Sequence, residues 1–384
     1  MDGEKQERVL VAMSGGVDSS VAALLLRDAG YDATGVTMKL FDNEVAGAGG
    51  ACVVGESTCC SQSDVEDARQ VAFGLELEHF TFNFTGTFGC EVIDRFCDAY
   101  LHGRTPNPCI DCNRYLKFAA LQRRRAQLGF DYVATGHYAR RAFNERTGRF
   151  ELRRGLDEAK DQSYVLYHLT QDDLAHMLFP LGELTKPQVR ELAEKHSFGN
   201  AHKAESQDIC FVPDGDYASF IARYMGFGED AARGDGKERA VPAAFEPGDI
   251  VDVGGKVLGR HTGLVHYTIG QRKGIGVAAP EPLYVVGKDA GKNVLVVGPR
   301  SELGVREVRA GDVNLISVAE LDKTMRVTAK THYRQRAQAA EAVMEGDQLV
   351  VRFDEAVARP AAGQSLVLYD GDAVVGGGTI EVSE

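Results

Sequence analysis

The chain has 384 residues, 44% of them hydrophobic, and carries a formal net charge of -13 at pH 7. That length exceeds one ordinary core and predicts two or three domains, which excludes a small disulfide scaffold. The longest aliphatic run, "VAALLL" at Val21 to Leu26, is far too short for a membrane span, and the charged opening "MDGEKQERVL" has no secretory or transit pattern. The expectation is a soluble, cytoplasmic protein without a membrane partner, in which eight cysteines are not a disulfide framework.

The chain opens with a strand-like "RVLVAM", a helical "SSVAALLLRDAG" closed by Gly30, and a second strand "DATGVTMKL". This order predicts an α/β fold, a parallel sheet flanked by helices. "SQSDVEDARQVAFGLEL" reads as the next helix, with Ser63 and Glu66 as a capping box and Val65, Ala68, Ala72 and Leu75 on one face. "HFTFNF" alternates like a strand, and "DYVATGHYA" reads as a later strand whose end holds Gly136 and His137. In "LTKPQVRELAEKHS", Thr185 three residues before Gln188 marks a helix start. Beyond about residue 212, Gly, Pro and short alternating runs replace helical periodicity, which predicts small sheets or barrels. "GEDAARGDGKERAVP" within this part reads as a flexible insertion.

Three stretches carry chemistry. "AMSGGVDSS" joins the first strand to the first helix, where an α/β fold presents backbone N–H groups to phosphate. It matches neither G-x-x-x-x-G-K-[ST] nor G-x-G-x-x-G. Gly15 and Gly16 let backbone approach an anion, Ser14, Ser19 and Ser20 add hydroxyls, and Asp18 suits a magnesium ion; the competing reading is a plain glycine-rich corner. In "TPNPCIDCN", residues 105 to 113, Cys109 and Cys112 fit a metal clip, a disulfide or a reagent. No second C-x-x-C or His pair follows at zinc spacing. In "RVTAKTHYRQR", Arg326, Lys330, His332, Arg334 and Arg336 share parity, so an extended strand puts a basic stripe on one face beside Tyr333. That stripe suits RNA phosphate and ribose, or it is a solvated strand face. "RRR" at Arg123 to Arg125 and "GQRKG" at Gly270 to Gly274 would extend the basic track.

S-G-G-x-D-S after a first strand resembles the PP-loop of the ATP pyrophosphatases, which adenylylate a carbonyl oxygen and release pyrophosphate. "GVTMKL", "CCSQSDVEDARQVA", "GRTPNPCIDCNRYLKF", "ATGHYAR", "KDQSYVLYHL", "LGELTKPQVRELA", "ESQDICF", "YTIGQRKGIG" and "THYRQ" follow one another along the chain. Together they resemble the tRNA-specific 2-thiouridylase family, the MnmA type. The resemblance implies a Rossmann-like PP-loop domain over residues 1–211, a small β-rich tRNA-contacting domain over 212–284 and a C-terminal β-barrel over 285–384.

It also implies ATP- and magnesium-dependent 2-thiolation of wobble uridine 34 in the tRNAs for Lys, Glu and Gln. The C2 oxygen is adenylated and sulfur from a cysteine persulfide replaces it. Cys112, before Asn in "CN", is then the nucleophile and Cys210, in "SQDICF", the persulfide carrier, leaving a disulfide between them to be reduced. By the same match Ala12, Met13, Ser14, Gly15, Gly16, Val17, Asp18 and Ser19 cradle ATP, with Met38 and Gly136 on the adenine side. Asn107, Pro108 and Cys109 face the target base. His137, Lys160, Asp161, Gln162, Tyr333, Arg334 and Gln364 contact tRNA. A cysteine desulfurase or sulfur-relay protein supplies sulfur, and the expected state is a monomer.

One departure stands out, because some members carry Asp where this chain has Cys109, which puts an acid/base role there in doubt. An iron-sulfur cluster on Cys109, Cys112 and Cys210, with one iron open to sulfide, is the rival to the thiol chemistry. Cys52, Cys59, Cys60, Cys90 and Cys97 read as inert. Two other functions compete: a PP-loop enzyme adenylating a different substrate, and an RNA-binding module with a non-catalytic nucleotide pocket, although Gly15, Gly16, Asp18 and Ser19 are all present.

Overall fold

The computed structural model describes residues 6–41, 62–203, 209–227 and 240–381. Its first part alternates β1 (Arg8–Ala12), α1 (Val17–Asp28), β2 (Asp32–Lys39), α2 (Gln62–Gly74) and β3 (His79–Asn83). A helical stretch follows: α3 (Thr85–Phe88), the π-helix Gly89–Asp94 and α4 (Arg95–Leu101). The next comprises α5 (Pro108–Asp111), the π-helix Cys112–Ala120 and α6 (Leu121–Leu128), leading into β4 (Tyr132–Thr135). The hairpin β5 (Ala139–Asn144) and β6 (Arg149–Arg154) precedes α7 (Gln171–Ala175), β7 (Met177–Leu178), α8 (Lys186–Lys195) and α9 (Tyr217–Met225).

Strands β3-β2-β1-β4-β7 form one parallel sheet in that order. Its central strand is apolar on both faces, as a sheet covered by helices on two sides requires. Leu10 enters one core cluster, while Val9 and Val11 enter the cluster on the opposite face. The chain runs from β1 outward to β2 and β3, then returns to β4 on the other side of β1. That reversal opens a crevice beyond the carboxyl ends of β1 and β4.

Local signals explain most boundaries. Gly30 has φ +86° and ends α1, as expected, with Tyr31 N–H returning to the Leu26 carbonyl at 3.1 Å. Thr185 caps α8, its N–H donating to Gln188 Oε1 at 2.8 Å. Ser63 is not a cap, because α2 already begins at Gln62. The expected face of α2 is rotated: Val65 is half-buried, and Asp64 and Val71 join Ala68, Ala72 and Leu75 inside.

The break in texture at residue 212 does not end the helical packing against the first part of the chain. α9 follows it, and Tyr217 stacks on Tyr100 of α4 with ring centroids 4.8 Å apart. Phe220 and Phe211 meet at 5.1 Å in the same aromatic cluster. The helix is short, with three aromatic residues among its nine, so its apolar stripe was hidden among the glycines that flank it. Most of the expected flexible insertion, residues 228–239, lies outside the described residues.

The central sheet contains β8 (Gly248–Asp252), β9 (Val257–His261), β10 (Tyr284–Asp289) and β11 (Val294–Gly298), in the order β10-β11-β8-β9. It therefore runs to Gly298, past the expected division at residue 284. In this sheet Lys288 donates one of its three protons to the Tyr267 carbonyl at 2.9 Å, and burial pushes its pKa down to about 8 from 10.5. Between those values the unfolded chain binds more protons, so stability rises with pH across the window, and below it the whole cost remains. Lys288→Met is expected to raise the melting temperature at neutral pH and to flatten its rise above pH 8. Thermal unfolding across that range checks both.

The last strands are β12 (Gly304–Leu315), β13 (Met325–Lys330), β14 (Gln338–Glu345), β15 (Gln348–Ala358), β16 (Ser365–Asp370) and β17 (Ala373–Ile380). They pair antiparallel in the order β12-β15-β14-β13-β16-β17, and β12 pairs with β17 to close a barrel. Small and branched side chains, including Ala310, Ala329, Ala340, Val351 and Leu366, fill it. The β5–β6 hairpin of the first domain joins the barrel wall, with Arg153 opposite Ala373.

Two further contacts tie the barrel to the segment carrying the cysteines. Thr105 N–H donates to the Ala362 carbonyl at 2.7 Å, and Gln364 Nε2 donates to the Thr105 carbonyl at 2.8 Å. Arg114 and Asp312 form an ion pair across the same boundary.

Candidate active site

A cavity of 330 Å³ occupies the crevice beyond β1 and β4. Ala12, Met13, Ser14, Asp18 and Ser19 line it from the first loop, Thr37 and Met38 from β2, and Gly136 and His137 from the end of β4. Pro108, Cys109, Cys112 and Lys117 form another wall, and Cys210 completes it with Ile209 and Phe211. The structure thus brings the loop, both expected adenine-side residues and all three cysteines to one space.

The loop is shaped by packing on every side. Gly16 is the N-cap of α1, and no side chain caps that helix, so its first-turn N–H groups face an incoming anion unscreened. Ser19 Oγ donates to the Gly16 carbonyl at 3.0 Å and accepts from Ser14 N–H at 3.2 Å, which holds the turn closed. Gly15 lies at φ +74°, and a Cβ there would collide with the Asp64 backbone of α2. A Cβ on Gly136 would stand 2.8 Å from Ser19 N. These glycines are therefore required by close packing against α2 and α1.

Asp18 is held from two directions. Lys186 Nζ donates to both of its carboxylate oxygens at 2.8 Å, and Tyr138 Oη donates to Oδ1 at 2.8 Å. A magnesium ion at Asp18 must compete with that lysine, and in this structure the carboxylate ties α1 to α8.

Asn107, Pro108 and the cysteines are arranged by a helix start. Asn107 Oδ1 accepts from Cys109 N–H at 3.2 Å as N-cap, and Pro108 occupies the first turn, where its missing N–H costs nothing. Cys109 and Cys112, three residues apart at a helix, then share a face. Cys109 is exposed, whereas Cys112 and Cys210 are half-buried against the apolar cluster of the first domain. None of the five described cysteines is in a disulfide, so the expected Cys112–Cys210 bond is not formed in this state. Nor do Cys109, Cys112 and Cys210 come together as a cluster site: among the described residues no three His, Cys, Asp or Glu side chains are disposed to hold a metal. Cys97 is buried and Cys90 exposed, while Cys52, Cys59 and Cys60 lie outside the described residues.

The residues expected at tRNA divide into groups. His137 is buried, pairs through Nδ1 with Thr135 Oγ1 at 2.8 Å, and is held neutral, its pKa well below the ordinary value because of burial and the nearby Lys117 charge. Gln162 reaches the cavity while its Oε1 accepts from Tyr138 N–H at 2.9 Å. Asp161 anchors a turn, its carboxylate accepting from Gly155 N, Ser163 N and Ser163 Oγ at 3.2, 3.0 and 3.1 Å. Tyr333 Oη meets the Asp161 carbonyl at 3.4 Å, which places the half-buried Lys160 and the exposed Arg334 on neighbouring segments of the catalytic domain and the barrel. Gln364 lies instead at the Thr105 carbonyl. Gln364→Ala, which frees that loop from the barrel, is expected to lower kcat/KM ~10-fold without changing ATP affinity; steady-state kinetics and ATP titration check it.

The continuous basic stripe does not exist. β13 stops at Lys330, and residues 331–337 turn, with Gln335 N–H donating to the His332 carbonyl at 3.1 Å. Thr331 fixes that turn by donating to Gln335 Oε1 at 2.8 Å. Arg326 is engaged by Asp354 at 2.7 Å, and Lys330 lies over the rings of Tyr164 and Tyr333 at 5.8 and 6.0 Å. His332, Arg334 and Arg336 remain as an exposed basic turn. In the "RRR" stretch, Arg125 is structural, donating to the Phe130 carbonyl at 3.0 Å.

Lys117, Lys186, Thr37 and Asn113 were not foreseen. Thr37 Oγ1 donates to the Met13 carbonyl at 2.8 Å, fixing the loop from β2. Asn113, also on the cavity wall, donates to the Val165 carbonyl at 3.0 Å. The N-P pair at residues 107 and 108 was the available signal for the helix that sets the cysteines. Nothing in the sequence announced the partnership of Lys186 with Asp18.

A parallel sheet whose first loop opens a helix onto a cavity walled by thiols is the layout expected of a PP-loop enzyme. Family models match residues 7–214 as a tRNA methyl transferase HUP domain, 239–299 as a tRNA methyl transferase PRC-barrel domain and 305–380 as an aminomethyltransferase beta-barrel domain. The tRNA-specific 2-thiouridylase MnmA of Moorella thermoacetica is 47% identical, across 97% of this chain and 99% of its own. The tRNA-specific 2-thiouridylase MnmA 1 of Thermoanaerobacter sp. (strain X514) is 46% identical, across 98% and 99%. That of Clostridioides difficile (strain 630) is 44% identical, across 98% and 99%. The chain belongs to the tRNA-specific 2-thiouridylase family, and is thus a tRNA sulfurtransferase.

Proposed function

We propose that this protein replaces the C2 oxygen of wobble uridine 34 by sulfur in the tRNAs for Lys, Glu and Gln. The observation that supports it best is the shared cavity: the anion-receiving end of α1 and the thiols of Cys112 and Cys210 face one space. Uracil C2 resists substitution because its oxygen is a poor leaving group. Transfer of AMP from ATP to that oxygen, with release of pyrophosphate, converts it into a good one, and magnesium accompanies the triphosphate. The first-turn N–H groups of α1 receive the phosphates, while Met38 and Gly136 border the adenine side.

Sulfur arrives from a cysteine desulfurase or relay protein as a persulfide on Cys210. Its terminal sulfur attacks C2, forming the C–S bond as the C–O bond to AMP breaks. Cys112 then attacks Sγ of Cys210, and the sulfur–sulfur bond electrons pass to the departing sulfur, leaving a Cys112–Cys210 disulfide that a thiol reductant must reopen. Cys109, exposed at the cavity mouth, meets the base with Asn107 and Pro108. Asn107 does so while its Oδ1 serves as helix cap, which rigidifies the approach. Lys160, Gln162, Tyr333, Arg334 and His137 line the path of the tRNA.

Purified protein with ATP, magnesium, unmodified tRNA for Glu and a persulfide donor should yield RNA retarded in a mercury-containing gel. Adenylation of a small molecule with no thiolated RNA would favour a different PP-loop enzyme.

A further inference from the structure

Residues Cys112–Ala120 form a π-helix. Its i to i+5 hydrogen bonds carry residue 117 about one turn beyond residue 112. In an α-helix, five residues would swing the side chain roughly 140° away. Here Cys112 and Lys117 stand on the walls of the same cavity, together with Cys210, Ser14, Asp18 and Ser19. Among the described lining residues Lys117 is the one cationic side chain, and Asp18, the carboxylate, is already engaged by Lys186. Lys117 is half-buried, and its charge reaches the buried His137 across the cavity.

The chemistry proposed above places new negative charge in this space. When sulfur attacks C2, the C–O bond breaks and its electron pair leaves on oxygen, so AMP departs with one more negative charge than the phosphodiester had. The end of α1 serves the loop side of the cavity. We propose that Lys117 is a catalytic residue that contacts the phosphate of the adenylylated uridine and stabilises the charge that AMP carries away. The contact is electrostatic and transfers no proton, so no further co-reactant is needed. The inference rests on the thiolation reading.

The test compares wild type with Lys117→Met and Lys117→Arg in single turnovers, using ATP labelled at the α-phosphate. With Lys117→Met, thiolation should slow ~10²–10³-fold while labelled AMP accumulates on tRNA, and Lys117→Arg should recover much of the rate. Melting temperature and the rate of Cys112 alkylation by iodoacetamide, read by peptide mass spectrometry, should not change. Thiolation by Lys117→Met at the wild-type rate overturns the inference. So does loss of activity with no labelled tRNA, which puts the residue at adenylylation, or a slower Cys112 alkylation, which puts it at the thiolate. If Lys117→Met fails to fold, Lys117→Gln takes its place, and equal loss in the Gln and Arg variants overturns the proposal. A wild-type protein that never thiolates tRNA removes the underlying reading; one that thiolates regardless of residue 117 removes this inference alone.

Discussion

Cys112→Ser and Cys210→Ser are each expected to abolish thiolation, a fall of at least ~10³-fold, with melting temperature and ATP affinity unchanged. Serine keeps the size of cysteine, so the half-buried positions should repack without a cavity. It cannot carry a persulfide at Cys210, nor cleave one from Cys112. Cys109→Ser should lose less, because its exposed position at the helix start fits contact with the base and not sulfur transfer. Gel-based rates for the three variants, each with an ATP titration, separate these outcomes. Complete and equal loss at Cys109 would require an essential chemical role for it.

Gly136→Ala is expected to weaken ATP binding ~10–100-fold and to lower stability by about 1–3 kcal/mol. The new methyl would lie 2.8 Å from Ser19 N and 2.9 Å from the Asp18 carbonyl carbon, both backbone atoms in the first turn of α1. Neither side yields cheaply: β4 is hydrogen-bonded between β1 and β7, and α1 is tied to α8 through Asp18 and Lys186. The least costly adjustment moves the end of α1 away from β4, and that end is the surface proposed above to receive phosphate. Gly74→Ala is the control, since a Cβ there meets nothing within 4 Å. Calorimetric titration of ATP into both variants, beside their thermal unfolding, checks the contrast. Unchanged affinity for Gly136→Ala would place the nucleotide elsewhere.

Sequence read the first domain well because its signals are local. The runs around β1 and β2, the loop between β1 and α1, and the Thr185 cap each depend on neighbours within a few residues. The elements that it misread depend on distant partners or on a single turn. An extended "RVTAKTHYRQR" would have given a basic face, but Thr331 and Gln335 close a turn, and parity says nothing about where a strand ends. β10 and β11 resembled the barrel strands that follow, because alternation does not state which sheet a strand joins.

The candidate site shows the same division. Its loop and cysteines carried motifs, so they were legible in order along the chain. Lys117 was not, because a lone lysine on a helix usually points to solvent and only the π-helical winding beside Cys112 sets it on the cavity. Gln364 was marked for tRNA but also grips the Thr105 carbonyl, which couples the barrel to the segment that holds Asn107 and the cysteines.

The central claim is that Cys112 and Cys210 act on one another across this cavity. Its most direct test is a single turnover with persulfide-loaded enzyme, ATP and unmodified tRNA in the absence of reductant, followed by peptide mass spectrometry under non-reducing conditions. The account predicts a Cys112–Cys210 disulfide formed in step with thiolated tRNA. Thiolated tRNA with both cysteines still reduced, or a disulfide that joins Cys210 to Cys109 instead, would contradict it.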